Sequence, residues 1–204
     1  SVEPELILSE QGAGPPEAID VLKAAGIPFI EVPDSYDAEG ILEKIRVVGD
    51  ALDVKEAAQT LSDAVRRDLA AAQAAARALN GTPKRVLFVL SAADDRIMAS
   101  GVGTAADGII RMAGGENAID SFEGYNPLTD EAISVAAPDV ILMMDRGDHS
   151  ASAETLFALP SMATTPAAET RALVKMNGLL LLGFGPRTAE AVSRLSKALA
   201  ADAG

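Results

Sequence analysis

The sequence predicts an α/β protein of two lobes with a long helix between them, and three observations carry that reading. Residues 54–79 (VKEAAQTLSDAVRRDLAAAQAAARAL) form one uninterrupted helical pattern, in which Ala58, Leu61, Val65, Leu69, Ala72, Ala76 and Leu79 recur every three or four residues as an apolar stripe. At about 1.5 Å per residue this helix is roughly 39 Å long. Residues 5–32 read strand, helix, strand, a unit that cannot cover both faces of its own strands and therefore implies neighbours. Residues 83–204 alternate apolar runs with amphipathic segments, as in an open α/β sheet. The predicted organisation is a partial N-terminal lobe (1–37), a helical connector containing the spine (38–82) and a C-terminal α/β lobe (83–204). An ordinary long crossover helix within one domain is the alternative reading of 54–79.

Each element has its own signal. ELILS (5–9) is a short apolar strand, EQGAGPP a Gly/Pro loop, and Pro16 starts a helix through Ile19, Val21 and Leu22 that Gly26 closes. PFIEV (28–32) is the second strand. A helix over 38–49 follows, with Ile41, Leu42, Ile45 and Val48 on one side, and Asp53 with Glu56 forms a box-like start for the spine, which Asn80-Gly81 ends. KRVLFVLS is a strong strand, and SAADDRIMASGVG is the loop at its carboxyl end, where ligands of open α/β sheets gather. Residues 104–113 form a helix stopped by Gly114-Gly115, 117–119 a short strand, and FEGYNPLT a loop. Thr129 caps the helix DEAISVAA, DVILMM is a buried strand, 153–168 hold a helix and loop, LVKM is another strand, GLLLLGFG is a compact apolar stretch, and Pro186 opens the final amphipathic helix.

Composition narrows the function. With 49% hydrophobic residues, the 204-residue chain can bury a substantial core. A formal charge of −13 argues against nucleic acid and anionic lipid as partners, both of which reward basic clusters. Zero cysteines exclude disulfides and thiolate metal sites, and a single histidine, His149, excludes a His-rich one. No apolar run approaches the ~20 residues of a bilayer span, and SVEPELILSE lacks a signal peptide's basic start.

Several local patterns invite chemistry and have plain alternatives. Gly101-Val-Gly-Thr before a helix resembles a phosphate-binding turn but lacks both GxGxxG spacing and a P-loop Lys-Ser/Thr. Arg146-Gly-Asp148 lies at a strand's carboxyl end, where Arg146 reads as a solvated loop cation or a cleft residue. His149 beside Asp148, or with Asp94 and Asp95, suggests metal-dependent hydrolysis, yet no nucleophile stands in a recognisable motif with it. Most methionines sit in apolar runs as core filling, Met98 being the loop exception. Tyr125 near Phe122 reads equally as cleft wall or loop anchor.

Taken together, ELILSEQGAGPPEAIDVLKAAGIPFIEV, the long helix, GVGTAADGIIRMAGGENAI, FEGYNPLTDEAISVAAPDVILMM and NGLLLLGFGPRT resemble the periplasmic haem-binding proteins of ABC haem importers, within the helix-backbone (class III) solute-binding family. The resemblance implies two α/β lobes bridged by one helix, haem in the interlobe cleft, delivery to an inner-membrane permease and no catalysis. It assigns Arg96, Met98 and Tyr125 to the cleft wall, and Glu131 and, more loosely, Glu17 to permease docking. It places the family's axial tyrosine before the ELILS-like strand, outside this sequence, and leaves no metal ligand in the chain. The expectations that follow are weak or absent haem binding by these 204 residues, and self-association through the uncovered N-terminal lobe. A siderophore or cobalamin receptor of the same fold is the neighbouring alternative.

Overall fold

The computed structural model describes residues 3–79, 81–93, 96–145 and 152–201. They fall into two compact units, Ser1–Arg67 and Asp68–Gly204, each described by itself.

In the first unit, β1 (Ile7–Glu10) and β2 (Phe29–Val32) pair in parallel, with Ile7 opposite Phe29 and Glu10 opposite Val32. Between them runs α1 (Pro16–Ala24), begun by Pro16, whose missing N–H costs nothing at a helix start. Every residue of α1 is exposed or half-buried, Val21 at 70%. α2 (Ala38–Ala51) is capped by the Asp37 carboxylate, which accepts from the Gly40 amide at 2.7 Å, and it buries Ile41, Leu42 and Gly49. α3 (Lys55–Leu79) is the predicted long helix. The predicted Asp53 cap is not formed: Asp53 takes a left-handed φ of 54° in the turn after α2, and the first helical bond runs from the Ala58 amide to the Val54 carbonyl. α2 and α3 approach so closely that a Cβ added to Gly49 would lie 2.2 Å from the Ala58 Cβ.

The boundary between the units falls inside α3. Of its predicted stripe, Val65 is buried in the first unit and Leu69, Ala72 and Ala76 in the second, while Leu61 and Leu79 are exposed. The second unit is built on a six-stranded mixed sheet of β3 (Arg85–Ala93), β4 (Arg96–Ser100), β5 (Glu116–Asn117), β6 (Tyr125–Leu128), β7 (Val140–Asp145) and β8 (Leu173–Asn177), with the path β6-β4-β3-β7-β8. β3, β7 and β8 are parallel, and β5 joins the start of β3 in parallel. The predicted loop 91–103 is instead largely sheet: β3 continues to Ala93 and β4 returns antiparallel, with a bulge between Val89 and Ser91. The FEGYNPLT loop likewise contains β6, antiparallel to β4.

Leu87, Val89, Ile97, Ala99, Ile141 and Met143 line one face of this sheet and pack against Ile133, Leu156, Phe157, Met162 and Ala167. These come from α5 (Asp130–Ala136), α6 (Ala153–Phe157), α7 (Pro160–Ala163) and α8 (Pro166–Thr170), so the helix and loop expected over 153–168 are three short helices. The other helices are α4 (Ala105–Met112), α9 (Gly178–Leu182) and α10 (Thr188–Ala201); α9 replaces the predicted irregular apolar stretch, and α10 begins two residues after Pro186. Val86 of β3, Ile110 of α4 and Leu199 of α10 converge on Gly115, where an added Cβ would meet all three at 3.1–3.2 Å.

Candidate functional site

The antiparallel β3-β4-β6 corner of the second unit gathers the predicted wall residues. Side chains alternate along a strand, so Ile97 and Ala99 of β4 enter the core while Arg96, Met98 and Ser100 take the opposite face. β6 adds to that face through its register, Pro127 opposite Met98 and Tyr125 opposite Ser100. Phe88 of β3 completes it, its ring fully buried and edge-on to Tyr125 at 6.4 Å between centroids. Arg96, Met98 and Tyr125 therefore share one sheet surface, with Arg96 towards its hairpin end and apolar or aromatic side chains further in. Arg96 is exposed, Met98 half-buried and Tyr125 39% exposed.

Tyr125 is shaped by the start of α4. Burial pushes its phenol pKa up, and the Thr104 hydroxyl and the Ala106 amide, facing its oxygen, offset part of that rise. Partial burial thus favours the neutral phenol over the phenolate.

A buried polar network holds this corner, and the sequence reading did not single it out. Thr104 caps α4 by accepting from the Asp107 amide at 3.1 Å, and its hydroxyl also bonds to that of Ser100. The Asp107 carboxylate, 2% exposed, accepts from the Gly103 amide at 3.0 Å, from the Arg111 guanidinium at 2.8 Å and from the Asn117 amide at 3.3 Å. Asn117 also donates to the Gly101 carbonyl at 3.2 Å. The resemblance of 101–104 to a phosphate turn is corrected here, because the Gly103 amide such a turn would offer an anion is taken by Asp107. Thr104 followed three residues later by an acid was the available signal.

Arg146, Asp148, His149, Asp94 and Asp95 lie outside the described residues. Among those described, no group of three or more His, Cys, Asp or Glu could hold a metal ion. No described helix is long and apolar enough to cross a membrane. Glu131 is exposed in the first turn of α5 and borders a groove of about 370 Å³ with Arg85, Asp120 and Val135; Glu17 is exposed in the first turn of α1. Arg85 is a structural cation there, donating to the Ala136 and Ala118 carbonyls at 2.9 and 3.2 Å.

The first unit contributes a cluster that the sequence reading also missed. At the carboxyl ends of β1 and β2, the Tyr36 hydroxyl donates to the Asp34 carboxylate at 2.5 Å, and the Lys44 ammonium, 17% exposed, lies 2.7 Å from Glu10 and 3.7 Å from Asp34.

Comparison with known proteins gives consistent matches. The family described as periplasmic binding protein matches residues 1–178. Among solved structures, the chain is similar to the periplasmic haem-binding protein BhuT in complex with two haems, at 40% identity and a TM-score of 0.93 over 98% of this chain and 76% of that one. It is similar to the periplasmic haem-binding protein RhuT from Roseiflexus sp. RS-1 in apo form at 34% identity and a TM-score of 0.90, over 98% and 77%. The haem-binding protein HutB of Vibrio cholerae matches at 26% and 0.82, over 96% and 77%. A curated relative, the uncharacterized ABC transporter substrate-binding lipoprotein YvrC of Bacillus subtilis (strain 168), is 24% identical over 99% of this chain, which spans 64% of that relative's length. The family and these relatives are binding proteins, not enzymes.

Proposed function

Because the chain belongs to the periplasmic binding protein family, we propose that it is the haem-binding component of an ABC importer, acting in the periplasm and passing its cargo to an inner-membrane permease. The observation that carries the choice of haem is the sheet surface of Arg96, Met98 and Tyr125, in a chain 40% identical to a haem-binding protein. A porphyrin is a flat apolar disc with two carboxylates. Met98 and the Tyr125 ring supply a polarizable apolar wall for the disc, and Arg96 at the exposed end supplies a cation for a propionate. Residues 1–37 serve as part of an N-terminal lobe, 38–82 as the connector and 83–204 as the C-terminal lobe.

Titration with haemin, followed by the Soret band, tests this reading. Weak but saturable binding is expected of these 204 residues, weakened further by Arg96→Ala and by Met98→Ala, with cobalamin and ferric siderophores failing to compete. No Soret change, or tighter binding of a competitor, overturns it. Docking on the permease is assigned to Glu131 and Glu17, both exposed carboxylates in a first helical turn. Glu131→Lys is expected to lower haem uptake while leaving haem affinity intact, and unaltered uptake in a transport assay removes Glu131 from that role.

A further inference from the structure

Resting on the haem reading above, we infer that Met144 and Leu179 are porphyrin-contacting residues, extending the apolar wall begun by Met98 from β4 across β3 and β7 to the start of α9. All of these elements belong to the second unit.

Strand register places the residues together. Ile141 and Met143 of β7 enter the core with Ile97 and Ala99 of β4, so Leu142 and Met144 take the opposite face, the one that carries Met98. Between these strands Val89 pairs with Ala99 and Ser91 with Met98, so the bulge in β3 sets Leu90 and Ser91 against a single residue of β4. Leu90 continues the alternation of Val86 and Phe88 and stands between the two methionines. Exposure along this face follows the strand direction. Phe88, Leu142 and Ser100 are fully buried, whereas Leu90, Met144 and Met98, nearer the carboxyl ends of β3 and β7, are each half-buried. That end is where open α/β sheets receive ligands.

The junction of β8 with α9 prolongs the strip. Asn177 ends β8 opposite Asp145 and caps α9 by accepting from the Leu180 amide at 3.0 Å. Gly178 leaves room for Met144 beside this turn: a Cβ there would lie 2.9 Å from the Met144 sulfur. Leu180 and Leu181 are buried, and the next residue after Gly178, Leu179, is left 74% exposed. A lone exposed leucine is ordinary on a protein surface. Leu179 is instead the end of a line through Met98, Leu90 and Met144, with Ser91 its polar member. β4 and β7 are two strand spacings apart, about 9–10 Å, so the strip is broad enough for the face of a porphyrin. Thioether and leucine side chains hold a flat ring by dispersion and require no particular metal within it. The contact is to the macrocycle and not to its iron.

The test titrates the full chain and the variants Leu179→Ser, Leu179→Met and Met144→Gln with haemin and, separately, with metal-free protoporphyrin IX. Absorbance reports binding, circular dichroism is the fold control, and Val21→Ser, at an exposed valine of the first unit, is the composition control. Leu179→Ser is expected to weaken both porphyrins by about tenfold, as for an apolar side chain lost from a buried contact. Leu179→Met is expected to keep the wild-type affinities, Met144→Gln to weaken both ligands, and Val21→Ser to change neither. Unchanged affinity in Leu179→Ser, a loss confined to haemin, or a loss in Leu179→Met equal to that in Leu179→Ser overturns the wall assignment while leaving the haem reading in place. Haemin bound by wild type without binding of the metal-free ring does the same. Absence of haemin binding by wild type overturns both.

Discussion

The two units bury their apolar surface very differently. In the second, the central strands are sealed on both faces: Val86 to Val89 and Val140 to Leu142 are all 0% exposed, and helices supply both coverings. In the first, β1 alternates half-buried and exposed residues, Leu8 and Leu22 are each 40% exposed, and the order of the strand ends comes from ion pairs and caps such as Lys44–Glu10 and Asp37–Gly40. In this chain, which spans 64% of the curated relative's length, the difference sets where local opening is expected first. A core of fully buried side chains resists local opening, whereas a unit held by half-exposed contacts opens at lower free energy.

Truncation of matched apolar residues should expose this contrast most strongly. Leu142→Ala, at a fully buried site, is expected to cost about 2–5 kcal/mol, and Val21→Ala, on the outer face of α1, no more than about 0.5 kcal/mol, both measured by urea denaturation. Equal losses would mean that α1 is buried in solution. Glycine contacts probe each unit separately at a smaller scale. Gly49→Ala collides with Ala58 and should cost about 1–3 kcal/mol, with faster amide hydrogen exchange concentrated in residues 38–67. Gly101→Ala meets the Phe122 carbonyl oxygen at 2.1 Å and its ring at 2.5 Å, so it should displace the segment leading into β6 and weaken haemin binding at a similar cost of about 1–3 kcal/mol. Unchanged haemin affinity in that variant would separate Tyr125 from the ligand.

The smallest effect is the alkaline one. Burial raises the Tyr125 pKa above its ordinary 10.0, so the unfolded chain loses this proton first. The contribution of the neutral phenol to stability is complete below that ordinary value and is lost as pH rises through the raised one. Tyr125→Phe should flatten that part of the alkaline stability profile in urea titrations run across the tyrosine range, and an identical slope would show that the phenol ionises freely in the folded state.

Legibility in the sequence followed how local the determining physics is. Pro16, the 25-residue helical period of α3 and the DVILMM run announce their elements within their own windows. β4 and β6 do not. RIMAS and YNPL have weak strand patterns and become strands because each finds a partner, β4 between β3 and β6. α9 hides in an apolar run without periodicity and is started by Asn177, whose side chain accepts from the Leu180 amide. Asp53 shows the opposite failure, a correct local cap pattern overridden by the turn that lets α2 and α3 close on Gly49. At the candidate site, Arg96, Met98 and Tyr125 were legible through family resemblance, but their common face depends on register. The Tyr36–Asp34 pair carried no signal of its own, since it exists only because the loop 33–37 folds the carboxylate back against the phenol.

Pro127 gives the exposed edge of the sheet a further property. β6 ends the path β6-β4-β3-β7-β8, and an end strand with free amides and carbonyls is a template for recruiting a strand from another molecule. Proline has no amide hydrogen to offer, and β6 is only four residues long. The strand that carries Tyr125 is thereby blunted against amyloid-like growth, so the protein can leave an aromatic side chain accessible at a sheet margin without making that margin adhesive.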